Sequence, residues 1–234
     1  MGGNMKLPTI EQVNRPSVAD QVFNTLQERI LSLELPPSAK LSEVDVSVQL
    51  GVSRQPVRDA FYRLSKLGFL VIRPQRSTTV SLISETAVMQ ARFIRTAMEV
   101  EALKTATQTL TDEDFKALDD ILAAQKEAHL AKDPVAFHKL DDQFHREICV
   151  RAGVGFIWDL IQDSKAHMDR VRMLSLSFAS LVAFEDHVAI VKAMKSRDED
   201  AATSAMRSHL SRIREQLDRI REENHEWFES NNTL

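Results

Sequence analysis

Four polar residues with ligand chemistry fall on helix faces that should be apolar. Asp141 and His145 are four residues apart, so they stack on one face of a helix, in a stripe with Phe137 and Cys149 and beside Leu140, Phe144 and Ile148. His187 belongs to the stripe Phe184, His187, Val191, Met194, and His209 to Ala202, Met206, His209, Ile213. Three helices therefore each direct a ligand atom inward. Any one of these histidines alone reads more simply as a hydrogen-bonded core residue, with the carboxylate as its partner. Three imidazoles and a carboxylate buried together are costly without compensation. One divalent transition metal ion offsets that cost, because it neutralises the carboxylate and uses each imidazole lone pair. Mixed nitrogen and oxygen ligands suit Zn²⁺ foremost, with Ni²⁺ and Mn²⁺ as alternatives. Asp142 rivals Asp141 but faces away from the Phe137/Cys149 stripe. His138 shares the face of Asp141 and, with His129, His167 and His225, reads as a bystander.

Arg95 lies among Val88, Ala91, Met98 and Ala102 on another apolar face. A buried arginine suits a carboxylate ligand as a bidentate partner. An intrahelical pair with Glu99, four residues on, explains it equally well. Arg92 is one position off that face and is expected to be exposed. Four protein ligands leave positions open on an ion that accepts five or six, so a small carboxylate could complete the shell.

The elements that must position these residues are helical. Periodicity predicts helices over about 85–108, 112–131, 134–151, 155–178, 181–196 and 198–223. Breaks are expected at Thr111-Asp112, Asp133-Pro134, Gly153-Val154-Gly155, near Ser180 and at Arg197-Asp198. Short connections imply an antiparallel bundle over 84–223. A polar C-terminal tail is expected over 224–234.

The texture of residues 16–82 differs. Ser17 begins a helix carrying Val22, Leu26, Ile30 and Leu33, which Pro36-Pro37 ends. Ser42 caps a short second helix with Val46 and Leu50. Gly51-Val52-Ser53 turns the chain, and Ser53 caps a third helix that Gly68 stops. Phe69–Ile72 and Thr78–Leu82 read as a hairpin about the turn Pro74–Ser77. That order is a winged helix-turn-helix, preceded by a flexible tail over 1–15. Ser53, Arg54, Gln55 and Arg58 then occupy the start of a recognition helix. There, arginine can bridge guanine O6 and N7 and glutamine can read adenine. Arg76 and Thr78 fall on the wing, where phosphate or the minor groove would be met. A solvated basic helix end is the plainer reading of the charge alone; the order of elements favours DNA.

The chain has 234 residues with a net charge of −4. That average hides a gradient. Residues 1–83 carry ten basic and seven acidic residues, and 84–234 carry twenty and twenty-seven. Ser53–Arg76 holds six basic residues against Asp59 alone, and such a local patch matters more to a polyanion than the mean. Six Gly and seven Pro leave little room for an all-β fold. The lone Cys149 excludes an internal disulfide and a multi-cysteine zinc site. Apolar runs are broken by Ser, Arg or Asp short of a membrane span. The N-terminus lacks the apolar core of a secretory signal. A cytoplasmic, mainly α-helical protein is expected.

The residues that fill these roles resemble the GntR family of bacterial transcription regulators, in its FadR-type branch with an FCD effector domain. The resemblance is carried by Leu35-Pro36, Lys40–Glu43, the run Leu50–Ala60, Arg63-Leu64 and Leu67–Leu70, and extends over about 16–222. It implies that Arg54 and Arg58 contact an operator with help from the wing. It also implies that Asp141, His145, His187 and His209 form the metal site of that domain's metal-binding branch, with Arg95 toward the effector pocket. Two loops depart from the family pattern, at Pro37-Ser38-Ala39 and at Ser77. The resulting expectation is a homodimeric regulator, by family default a repressor, that binds a near-palindromic operator and responds to a small organic acid. A metal sensor is the alternative. A metalloenzyme would need a general base and a cleft, and no H-E-x-x-H or comparable signature is present.

Overall fold

The structure is a computed structural model and describes residues 16–73 and 77–230. The tail expected over 1–15 and the wing residue Arg76 lie outside the described residues.

The N-terminal unit follows its caps. Helix α1 (Val18–Leu31) opens with a reciprocal capping box between Ser17 and Asp20. It stops at Ser32, and Leu33 takes a φ of 64° ahead of the prolines. Ser42 caps α2 (Glu43–Leu50). Gly51, at a φ of 65° that other residues rarely adopt, turns the chain into α3 (Arg54–Lys66). Val22, Leu26 and Ile30 of α1 close a dry core with Val57, Phe61 and Leu64 of α3. The expected hairpin forms between β2 (Leu70–Val71) and β3 (Thr78–Val80). A third strand, β1 (Lys40–Leu41), adds to the other edge of β3, in the order β1-β3-β2. Two residues with one buried side chain carry no alternation from which a strand could be read.

The second unit packs α4 (Glu85–Thr109), α5 (Asp112–Leu130), α6 (Pro134–Arg151), α7 (Phe156–Gln162), α8 (Ala166–Lys195), α9 (Glu199–Ser211) and α10 (Ile213–Glu223). Three expectations are corrected. No break occurs at Ser180, which sits inside α8 with its hydroxyl 2.9 Å from His129 Nδ1. The break falls instead at 163–165, where Lys165 is drawn between Asp142 and Asp169 at 2.6 and 2.7 Å. The stretch 198–223 divides at Arg212, which Asp186 holds from α8. The C-terminal segment is not a free tail from 224. His225–Trp227 form a 3-10 turn, and Phe228 is buried and bridged to Ile83. Helix α8 has the length and composition of a membrane span. It is the axis of the bundle, however, packed on α4, α5, α6, α9 and α10 with Arg170, Arg172 and His187 buried along it.

The start of α8 also ties the two units together. Arg170, fully buried, donates to the Ser81 carbonyl at 2.6 Å and to the Ser81 hydroxyl at 3.1 Å. The Ser84 N–H donates to His167 Nδ1 at 3.1 Å. Gly68, at a φ of 80°, allows His167 to approach so closely that a Cβ there would lie 3.1 Å from its Nε2.

Candidate functional site

Inside the bundle, α6 supplies Asp141 and His145, α8 supplies His187 and α9 supplies His209. Their ligand atoms all lie within 4.8 Å of one another. His209 Nε2 is 3.2 Å from His145 Nε2 and 3.3 Å from His187 Nε2. Asp141 oxygens stand 3.7 Å from His145 Nε2 and 3.8 Å from His187 Nε2. The four residues expected to converge are thus brought together.

The outer ring nitrogens decide what the inner ones offer. His145 Nδ1 lies 2.6 Å from a Glu99 oxygen, His187 Nδ1 is 2.9 Å from the Gln125 carbonyl oxygen, and His209 Nδ1 is 3.3 Å from Asp186 Oδ2. Each partner is an acceptor, which favours the tautomer with the proton on Nδ1 and a lone pair on Nε2; the His145–Glu99 contact is close but lacks hydrogen-bond geometry. Phe144 stacks on His187 at 4.1 Å and sets its plane. Burial pushes all three imidazoles toward the neutral form, His209 to about 4 and His187 well below its ordinary value. Three facing lone pairs in a dry site repel one another. Two nitrogens each about 2.1 Å from a shared ion sit about 3.0–3.4 Å apart, which is the spacing found here. The donor set fits a divalent ion.

An ionic lattice surrounds this cluster. Arg95 is buried but spends Nε and Nη2 on Glu99, at 2.5 and 3.4 Å. The intrahelical pair is therefore present, and through Glu99 it reaches His145. Burial alone would raise the Glu99 pKa; Arg95 and His145 outweigh it and hold the carboxylate ionised. Arg172 pairs with Asp141, and its Nη1 donates to Asp142 and Asp169 at 2.9 and 3.1 Å. Sequence reasoning missed Arg172, Lys165 and Asp169. Their signal was the run of four charges, Lys165, Asp169, Arg170 and Arg172, at the start of an otherwise apolar helix. Arg92, expected to be exposed, is half-buried. His138, expected to be a bystander, is buried beside Asp142 and Asp169, and its Nδ1 has no partner among the described residues.

Space is distributed unevenly. A cavity of about 40 Å³ touches Arg95, Asp141, Arg172, Ser175, His209 and Gln216. A cleft of about 440 Å³ opens between α1 and the bundle, floored by Asp142, Lys165 and Asp169.

On the N-terminal unit, Ser53, Arg54, Gln55 and Arg58 are exposed on one end of α3, and Val57 and Ala60 turn inward. Ser53 takes the N-cap backbone, but its hydroxyl makes no cap bond. Thr78 is half-buried opposite Leu41, at the loop-side end of β3.

Comparison with known proteins agrees with this architecture. Residues 18–80 match the bacterial regulatory proteins of the gntR family, and residues 90–212 match the FCD domain. The HTH-type transcriptional repressor RspR of Escherichia coli is 37% identical over 94% of this chain and 98% of that protein. A probable D-xylose utilization operon transcriptional repressor of Paenarthrobacter nicotinovorans is 29% identical over 87% of this chain and 90% of its own. The solved structure of E. coli McbR/YncC, 21% identical, matches 87% of this chain and 99% of its own with a TM-score of 0.74, which shows a shared fold. The helix-turn-helix head and the helical domain behind it make the chain a transcriptional regulator rather than an enzyme, and a member of the GntR family with an FCD domain.

Proposed function

We propose that the protein is a homodimeric, ligand-responsive regulator, a repressor in its default mode, that reads a near-palindromic operator through α3. A small carboxylate would be sensed at a metal-containing pocket in the bundle. The observation that carries this reading is the convergence of three Nε2 lone pairs and Asp141 at the centre of a domain whose neighbour is a DNA-type head. Asp141, His145, His187 and His209 would hold the ion, Zn²⁺ foremost with Ni²⁺ or Mn²⁺ as alternatives. When bound, the ion supplies a Lewis-acidic anchor for a carboxylate.

Charge supports the effector class. Glu99, Asp141, Asp142 and Asp169 face Arg95, Lys165 and Arg172, one negative charge in excess. A divalent ion inverts that excess to one positive charge, and a monocarboxylate would cancel it. Arg95 and Arg172 both line the cavity, Arg95 engaged by Glu99 and Arg172 by Asp141, Asp142 and Asp169. The cavity holds little more than a water molecule's share of volume, so the effector must draw Arg172 from Asp141. Helix α8 can report that movement, because Arg172 and Arg170 are two residues apart and Arg170 grips the linker to the head. Differential binding to two head arrangements would then shift operator affinity.

On the head, Ser53, Arg54, Gln55 and Arg58 would meet base edges and phosphates, with Thr78 and Arg76 serving the wing. A second copy of the chain would cover α4, where Phe93 is 71% exposed beside Met89 and Ile94. Acting on chromosomal DNA places the protein in the cytoplasm. A metal sensor is the second reading, favoured by the same four-residue cluster.

The test is selection of DNA sites from random sequence, elemental analysis, and a thermal-shift screen of small carboxylates on metal-loaded protein. Near-palindromic selected sites, near-stoichiometric metal and stabilisation by a carboxylate support the proposal. DNA binding that responds to metal alone favours the sensor, and no site enrichment overturns both.

A further inference from the structure

Arg54 and Arg58, one turn apart on α3, share a single carboxylate that belongs to α2. Glu43 accepts from Arg58 Nη2 at 3.1 Å and from Arg58 Nε at 3.3 and 3.4 Å, and Arg54 Nη2 reaches the same Oε2 at 3.5 Å. The Glu43 side chain is 28% exposed, whereas those of Arg54 and Arg58 are 58% and 57% exposed. The carboxylate is therefore the seated partner and the guanidinium groups are the outward ones. The Arg58 hydrogen bond holds the Glu43 carboxyl below its ordinary range against a small opposing effect of burial, so it is ionised.

The geometry has a chemical consequence. A guanidinium has a side edge, Nε with Nη2, and an end edge, Nη1 with Nη2. Guanine O6 and N7 can be met bidentately by the end edge. Glu43 occupies the side edge of Arg58, Nε with Nη2, and does not engage Nη1 of this half-exposed side chain. Exposed ion pairs contribute about 0–1 kcal/mol to stability, so this pair explains little about the fold. Its effect falls on rotamer freedom, which a free arginine would lose on meeting DNA and a held one has already lost. The helix-turn-helix itself builds the arrangement: Glu43 opens α2 just after its Ser42 cap, and the Gly51 turn returns α3 across it.

We propose that Glu43 is a positioning residue for sequence readout, which orients Arg58, and Arg54 through the shared oxygen, without touching a base itself. This rests on the reading that these two arginines contact operator bases. The signature runs opposite to simple electrostatics. Removing a negative charge from a DNA-facing surface strengthens binding to any DNA, whereas removing a positioner weakens binding to the operator alone.

The experiment compares full-length wild type with Glu43→Gln on two duplexes of equal length. One is the operator selected by the wild type; the other is random sequence. Expected are a specific-to-nonspecific ratio at least tenfold lower, an unchanged thermal midpoint, and an unchanged salt slope, because no phosphate contact is lost. In an Arg58→Ala background, Glu43→Gln should lower the ratio little further. Equal strengthening on both duplexes, or no change on either, overturns the proposal. A loss as large with Arg58→Ala as without it also overturns it, by making Glu43 a base reader in its own right. If Arg54→Ala and Arg58→Ala leave the ratio intact, the underlying reading fails and the proposal falls with it. That outcome is told apart because it appears without any change at Glu43.

Discussion

The head and the bundle treat polar residues in opposite ways. In the head, Val57, Ala60, Phe61 and Leu64 form the buried side of α3, while Arg54, Gln55 and Arg58 stand in solvent on its other side. In the bundle the candidate functional residues are the core: His187 is 0%, His145 1%, Arg95 3% and Asp141 4% exposed. A surface reader can change without disturbing the packing beneath it. A ligand set inside the packing cannot, because any ion that binds it stabilises the folded chain by mass action. The two halves should therefore answer substitution differently.

The largest effect that would sharpen this contrast is in the head. Arg54→Ala should cost about 100-fold in affinity for the selected operator, the value of a lost bidentate base contact, while the thermal midpoint stays put. Loss of the midpoint together with binding would break the comparison. In the bundle, His187→Ala should abolish near-stoichiometric metal, seen by elemental analysis, and cost roughly 2–3 kcal/mol by emptying a packed site. Its midpoint should no longer respond to chelator, whereas that of the wild type should fall. Arg170→Met tests the joint between the halves. It strands the Ser81 carbonyl without its donor, an expected cost of about 2 kcal/mol. Calorimetry should show the head and the bundle melting apart while metal content is retained.

The smallest effect is pH dependence at the same joint. Burial, reinforced by Arg170, depresses the His167 pKa to about 4, against about 6.5 in an unfolded chain. The unfolded chain thus binds the proton first. The stability His167 contributes is complete above pH 6.5 and is lost as pH falls toward 4. Between pH 6.5 and 5 the loss is about 1.5 kcal/mol, measurable by urea unfolding, and His167→Gln should remove that share of the slope, leaving what the other buried histidines contribute. An unchanged slope in that variant would assign the acid sensitivity to the other buried histidines.

The same contrast explains what could be read ahead of the fold. Caps and apolar spacing are local, so α2, α3, α5 and α6 end within a residue or so of expectation, whereas α1 stops at Leu31, short of the expected Leu33. The stripe through Phe137, Asp141, His145 and Cys149 marks a buried face whether or not its partners are known. Boundaries set by long-range contacts were not legible. Ser180 looks like a breaker until its hydroxyl meets His129, and Lys165 looks like a helix residue until Asp142 and Asp169 draw it out of line. Strand β1 exists only because β3 lies beside it.

By itself, then, the sequence determined the helix-turn-helix order, the inward faces of three helices and the four residues able to share an ion. Each of these follows from periodicity and from side-chain chemistry, which a chain carries along its length. Tertiary structure alone decided that Arg95 belongs to Glu99, that Arg172 stands at Asp141, that Arg170 clasps the linker and that Glu43 holds the reading arginines. Spacing could offer the Glu99 pair but not choose it; the other partners lie 15 to 89 residues apart along the chain, and sequence holds no record of which partner folding will bring within reach.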